Sequence, residues 1–437
     1  MSSLRRKTLF TYVVPATLTN ACIFLFTIVD GIFVGHGVGT HGLGAVNIAV
    51  PFTMICAALF MLASIGGVTV TAIRLGRGDR EGANQAFMHS FSATAAVTVV
   101  LSIVGVFFTV PVARLLGADD SYLPMVRDYL FWYSLFIIPS GLSVNLQSFC
   151  RNDGSPTLVA AATVAGTLFN IIADWLFVFP LKMGLMGAAL ATGISQTITL
   201  LIVLTHFVRK KGALRFCRFR SNGALYRKLV FRGLPEMIAQ FATPITTICM
   251  NRVLLANMGE IGVNAFSIIS YVASFTMSVL FGSSEGLQPL FGQSYGAKDE
   301  DSLKYYFRAG GVISLVGSAV IVALTVLLDR GICALFGADA ETLAFTVRSM
   351  PRYVWGFIVA GMNILMSAYL YSTKRSRQAI ILNVMRSLVV NIVVILGLPA
   401  LLGKGIVWYT FGIYECIVLV LAVMLLMHSE RNGIEYK

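Results

Sequence analysis

Two stretches decide the architecture: GRGDREGANQAF at Gly76–Phe87 and GAKDEDSLKYYF at Gly296–Phe307. They lie 220 residues apart and share their first glycine, an aspartate, an acidic position and the closing phenylalanine. The same offset puts Pro15 on Pro235 and LLGAD (Leu115–Asp119) on LFGAD (Leu335–Asp339), and one further residue brings Asn170 onto Asn391. Overall identity between the halves is close to chance, so the argument rests on short motifs clustering at one offset. Several of them interrupt long apolar runs, and interruptions that recur in register imply that the runs between them are duplicated as well.

Those runs fix the solvent. The chain has 437 residues, 57% of them hydrophobic and 12% charged, too few charges to clothe a water-soluble globule. At about 20 apolar residues per crossing, the length accommodates roughly a dozen membrane spans. They read as 9–34, 43–73, 88–111, 125–150, 157–180 and 187–208, then 233–254, 263–290, 306–328, 344–372, 379–402 and 405–428. The expected fold is an all-α polytopic membrane protein with twelve transmembrane helices in two six-helix, pseudo-symmetric bundles. An N-lobe (1–208), a basic cytoplasmic linker (209–232) and a C-lobe (233–437) follow. The N-terminal MSSLRRK and the apolar run after it lack an A-x-A cleavage site, so the run is read as a retained first span.

With both termini in the cytoplasm, most of the 33 Lys and Arg fall on that side, as the positive-inside rule requires. The net charge of +13 is then an insertion signal and calls for no nucleic-acid partner. Its densest part is Arg209, Lys210, Lys211, Arg215, Arg218, Arg220, Arg227, Lys228 and Arg232, an interval without acids. The seven cysteines are scattered and read as packing residues. No P-loop, G-x-S-x-G or H-E-x-x-H occurs, which leaves ATP-driven transport and hydrolysis without support; an enzyme is not expected. An even number of spans per half makes the repeats parallel, two lobes able to rock about a central cleft.

Ionisable residues inside spans are costly and therefore candidates for function. Asp30 lies roughly 30 Å along the first span at 1.5 Å per residue, in its outer half. Asp174 reaches a similar depth in the fifth span, with Asn170 one turn earlier on the same face, and Thr192 opens the sixth span from outside. Two carboxylates in a low-dielectric site cannot both ionise cheaply, so the set reads as a proton switch. The same oxygens equally suit Na⁺, and no other metal site is expected. The second half carries Met250 or Asn251 and Ile395 at the matching positions, which confines the acidic site to the first lobe.

Glu285, in SSEGLQPLFGQSYGA, reads as either an interfacial group or a contact for a cationic substrate. Arg386 and Glu415 read as mutually neutralising, and Glu236 as an interface residue. Pro15 favours a kink in the first span, and Tyr271 and Phe275 are candidate substrate or gate aromatics.

Pro15 and Asp30 in span one, FNIIAD (Phe169–Asp174) in span five and GAALAT (Gly187–Thr192) opening span six make the chain resemble the MATE family, the multidrug and toxic compound extrusion transporters, in its bacterial, DinF-like branch. The resemblance covers essentially the whole chain. It implies a V-shaped pair of bundles in the cell (inner) membrane, a monomer without cofactors. It further implies a cation site at Asp30, Asn170, Asp174 and Thr192, with Pro15 bending span one, and export of organic cations or other amphipathic drugs in exchange for H⁺ or Na⁺. The chain departs from the branch with an essential acid in span ten, since Gly356–Tyr371 has none, which argues against a second-lobe coupling site. A lipid-linked precursor flippase would need more cationic residues in its cleft than Arg252 and Arg386. An intramembrane aspartyl protease using Asp30 and Asp174 would need the missing G-x-G-D motif.

Overall fold

The computed structural model describes residues 2–38, 40–336 and 340–431; among these, regular structure is helical and no strand occurs. The first half contains α1 (Ser2–Gly37), α2 (Thr40–Gly76), α3 (Arg80–Phe107), α4 (Thr109–Leu115), α5 (Leu123–Leu135), α6 (Ile137–Asn152), α7 (Pro156–Val178) and α8 (Gly184–Val208). After the basic segment come α9 (Gly223–Ala239), α10 (Ala242–Gly296), α11 (Glu300–Leu327), α12 (Asp329–Leu335), α13 (Ala340–Val354) and α14 (Gly356–Ser372). The chain ends with α15 (Ser376–Val384), a π-helical turn (Met385–Val389), α16 (Val390–Leu402), a 3₁₀ turn (Lys404–Tyr409) and α17 (Thr410–Arg431).

Ten stretches are long and apolar enough to cross a bilayer, and α5 with α6, bent by 50°, forms another. The end of α9 and the first part of α10 supply the remaining crossing, closed at Gly259, where the backbone leaves helical geometry (φ 70°, ψ −157°). These twelve segments coincide with the runs read from the sequence. Several are interrupted, which apolar composition does not reveal: span four at Phe136, span seven at residues 240–241 and span ten at Trp355, while a π-turn around Arg386 widens span eleven without breaking it.

The duplicated loop motif has a structural cause. Asp79 accepts the Gly82 N–H at 2.8 Å and Asp299 accepts the Ser302 N–H at 2.9 Å, each capping the helix that follows. The preceding residues, Gly78 (φ 77°) and Lys298 (φ 57°), are both left-handed. One aspartate therefore satisfies an orphan donor of α3 and of α11 at matched positions. The matching LFGAD motif runs into residues 337–339, outside the described residues.

The chain forms two compact units, Leu18–Gly233 and Met1–Thr17 with Leu234–Lys437. Their limits differ from the lobes drawn on the repeat, because the entry segment of each half packs with the opposite unit. Close backbone approach accounts for this. In the C-terminal unit, a Cβ on Gly286 would lie 2.7 Å from the Tyr12 carbonyl oxygen; in the N-terminal unit, one on Gly66 would lie 2.0 Å from the Leu229 oxygen. Only glycine allows such contacts. The basic segment is anchored too: Asp153 accepts the N–H groups of Ala213 (2.7 Å) and Leu214 (3.1 Å) and pairs with His206 Nε2 (2.9 Å). Asn84 Oδ1 accepts the Arg215 N–H at 2.7 Å, and Phe216 packs on Phe87 with centroids 5.2 Å apart. A segment that reads as a tether is a built part of the first unit.

Candidate functional site: buried oxygens in the first unit

Asp30 comes from α1, and Asn170 and Asp174 come from one face of α7. Asp174 is 0% exposed and Asn170 1%. Asp30 lies within electrostatic reach of Asp174, and Asn170 stands one turn before it on α7. Asp30 Oδ1, both oxygens of Asp174 and both polar atoms of Asn170 are buried without a hydrogen-bond partner. Buried polar atoms are almost always satisfied, and leaving one unmet costs about 1–3 kcal/mol. Several at one place mark a site shaped for something small that brings charge or donors.

Thr192, on α8, is half-buried. Its carbonyl accepts the Ser195 hydroxyl at 2.8 Å, and its own hydroxyl makes no hydrogen bond to Asp174. The structure thus brings Asp30, Asn170 and Asp174 together and shows no direct bond joining Thr192 to them. Pro15 lies within α1, which continues as helix from Ser2 to Gly37.

Tyr129, on α5, was not singled out by the sequence. It lies within electrostatic reach of both Asp30 and Asp174 and stacks on Tyr133 at 6.1 Å. Nothing in its local sequence distinguishes it from the other 14 tyrosines. One to three turns earlier along α7, a polar cavity of ≈ 40 Å³ is lined by Gln147, Thr163, Thr167, Ser195, Gln196 and Thr199, among others. That volume holds roughly three waters at 10–15 Å³ each. Thr163, Thr167, Asn170 and Asp174 recur at helical spacing, so one face of α7 is polar from the cavity to the carboxylate.

The C-terminal unit holds a different polar cluster. Arg386, 3% exposed, donates through Nε at 3.0 and 3.1 Å and through Nη2 at 2.9 Å to Glu415, 0% exposed. Asn363 Nδ2 donates to Glu415 Oε2 at 2.7 Å and to its carbonyl at 2.9 Å. The π-turn that carries Arg386 widens the helix there; such turns recur at functional positions.

Glu236, read from the sequence as an interface residue, is 5% exposed, and Tyr371 donates to its Oε2 at 3.2 Å. Glu285, 9% exposed, lines the same small cavity as Glu236, Gln288, Tyr371 and Arg386. Tyr271 is half-exposed and stacks on Phe336 at 5.0 Å; neither it nor Phe275 lines that cavity or the neighbouring aromatic one around Phe266, Tyr353, Phe411 and Tyr414.

Twelve spans from a duplicated half, with unpartnered carboxylate oxygens buried in the first unit, define a polytopic membrane protein of the transporter class. The chain belongs to the MatE family, whose model matches residues 15–176 and again 235–396, the same offset of 220 that the loop motifs show. It is 24% identical to the multidrug export protein MepA of Staphylococcus saprophyticus and 25% to that of Staphylococcus haemolyticus, each match covering 98% of this chain and 94% of the relative. Among solved structures, a variant of the Vibrio cholerae MATE transporter VcmN superposes with a TM-score of 0.92 at 19% identity, over 100% of this chain and 99% of that one.

Proposed function

We propose that this protein is a multidrug efflux transporter that exports cationic amphipathic compounds in exchange for H⁺ or Na⁺, with Asp30, Asn170 and Asp174 as the ion site. The supporting observation is the group of unpartnered buried oxygens on α1 and α7. In a site of low dielectric, two ionised carboxylates repel strongly. A proton on one of them, or Na⁺ among the carboxylate and amide oxygens, relieves the repulsion and supplies the missing partner. Tyr129 lies within electrostatic reach of both carboxylates. The polar face of α7 and its cavity give the ion a wet approach from one side.

Exchange then follows from differential affinity. With the site empty and negative, a cationic amphiphile is favoured; with it neutralised, the attraction is gone and release is favoured. This coupling suits alternating access of the rocker-switch kind, in a monomer held in the cell (inner) membrane with both termini in the cytoplasm. MepA relatives bear the name multidrug export protein along nearly their whole length, which supports the substrate class.

The test uses proteoliposomes loaded with a fluorescent cationic dye, with proton and sodium gradients imposed separately. Wild-type protein moves dye under one gradient, and D30N and D174N each reduce gradient-driven transport at least tenfold while inserting normally. Undiminished transport by both variants overturns the site; dye movement under neither gradient overturns ion-coupled export.

A further inference from the structure

The turns that follow spans four and ten repeat each other bond for bond. In the first unit, Asp153 N–H donates to the Phe149 carbonyl at 2.9 Å and Ser155 N–H to the Cys150 carbonyl at 3.1 Å, around left-handed Gly154 (φ 89°). In the C-terminal unit, Thr373 N–H donates to the Tyr369 carbonyl at 3.0 Å and Arg375 N–H to the Leu370 carbonyl at 2.9 Å, around left-handed Lys374 (φ 64°). The aromatic pair beside each turn is duplicated as well: Phe87 meets Phe149 with centroids 4.9 Å apart, and Phe307 meets Tyr369 at 4.6 Å. Every residue of the second set lies 220 positions after its counterpart.

The first of these floors carries a cover. Residues 213–216, which follow span six, lie on it: Asp153 accepts the N–H groups of Ala213 and Leu214, and Phe216 packs 5.2 Å from Phe87, which is 0% exposed. On the second floor, Phe307 is half-buried. Arg375, which stands where the first unit has Ser155, is 8% exposed, with its guanidinium carbon 5.9 Å from the Tyr369 centroid. The ring attracts the charge, but Nη1 is buried without a hydrogen-bond partner. Buried donors are almost always met, so this one calls for an oxygen.

The matching cover follows span twelve, at residues 433–436, which lie outside the described residues. The offset sets Ile434 on Leu214, Glu435 on Arg215 and Tyr436 on Phe216, apolar on apolar and aromatic on aromatic. Charge inverts on both sides together. In the floor, Asp153 becomes Thr373, Asn84, which accepts the Arg215 N–H, becomes Lys304, and Ser155 becomes Arg375; in the segment, Arg215 becomes Glu435. α17 is described as far as Arg431, and Asn432 and Gly433 come next, residue types that end helices.

We propose that the segment after span twelve docks on this floor of the C-terminal unit, with Tyr436 against Phe307 and Tyr369 and the Glu435 carboxylate accepting from Arg375. Span twelve is then fastened at its end as span six is fastened by the basic segment. The proposal goes beyond the ion site and the export reading and depends on neither.

The test places p-benzoylphenylalanine at position 436 of the protein reconstituted in lipid, with the same probe at position 216 as the reference. Irradiation is expected to join residue 436 to the peptides that contain Phe307 or Tyr369, as residue 216 is joined to the peptide that contains Phe87. In detergent, an arginine-specific protease is expected to cut after Arg431 severalfold faster in R375E, E435K and Y436A than in wild type. The rate is expected to return close to the wild-type value in R375E/E435K, where the two charges are exchanged. Cross-links from 436 that reach only lipid or other segments overturn the docking, and so does a cleavage rate that Y436A leaves unaltered. A double variant cut as fast as the single ones overturns the ion pair. If R375E does not fold, the cross-link yield from position 436 decides: E435Q is expected to lower it severalfold, and an undiminished yield overturns the pairing with Arg375.

Discussion

Replacing either member of the Arg386–Glu415 pair leaves a charge buried in the C-terminal unit. Glu415→Leu removes the acceptor of three charge-assisted bonds of 2.9–3.1 Å from a guanidinium that is 3% exposed. Arg386→Met leaves a carboxylate that is 0% exposed with Asn363 as its remaining side-chain donor. Breaking a buried pair from one side costs about 3–5 kcal/mol, whereas replacing both members by apolar residues of similar volume is often nearly neutral. Asn363 is not orphaned in the double variant, because its Nδ2 also bonds the Glu415 backbone carbonyl at 2.9 Å. R386M/E415L is therefore expected to be more stable than either single variant, with a coupling free energy of about 3 kcal/mol or more in the double-mutant cycle. Unfolding by steric trapping in bicelles gives the free energies, and thermal melting in detergent ranks the four proteins independently. Additive losses, with the double variant the least stable of the four, would refute the reasoning, since two groups that do not neutralise each other have nothing to regain.

Gly233→Leu is expected to cost about 1–3 kcal/mol or more by overpacking, since even a Cβ there would lie 1.9 Å from the Leu62 oxygen; Gly223→Ala, with open space around it, is the neutral control, and detergent melting compares them. Asp299→Ala removes the cap of α11 at a cost of about 0.5–2 kcal/mol; the Arg5 side chain at 3.9 Å, partly exposed like Asp299, adds little. The hydroxyl and N–H of Ser302, followed by Arg5, hold the Asp299 carboxyl below its usual value against a smaller opposing effect of burial. A depressed pKa means that the stabilisation is present above the unfolded value of about 3.9 and is lost as pH falls through the lower, folded value. The melting difference between wild type and D299A therefore narrows below about pH 4, and a difference that widens there contradicts the cap. Asp153→Ala frees the N–H groups of Ala213 and Leu214 and unpairs His206; trypsin is expected to cut at Lys210, Lys211 and Arg215 severalfold faster, and an unchanged rate counts against the anchored segment.

The sequence determined what depends on composition and period. Lipid as solvent, twelve apolar runs and a duplication at an offset of 220 were legible because transmembrane helices satisfy their own backbone and need only length and apolarity, and because Asp79 and Asp299 repeat a local cap that is written in three residues. Asp30 and Asp174 were legible for a related reason: a carboxylate among apolar residues is conspicuous. Tertiary structure decided everything that depends on which helix faces lie together. Tyr129 comes within electrostatic reach of the two aspartates through helix packing that its local sequence does not record, and the partner of Glu236 is hidden in the chain until Tyr371, 135 residues away, is seen to donate to it. The unit boundaries were likewise hidden, since Gly66 and Gly286 read as ordinary glycines until a backbone carbonyl from a distant segment occupies the space where a side chain would stand. Burial and pairing across helices are properties of three-dimensional neighbours, and in a membrane protein, where apolar residues face both lipid and core, the one-dimensional pattern carries almost no record of them.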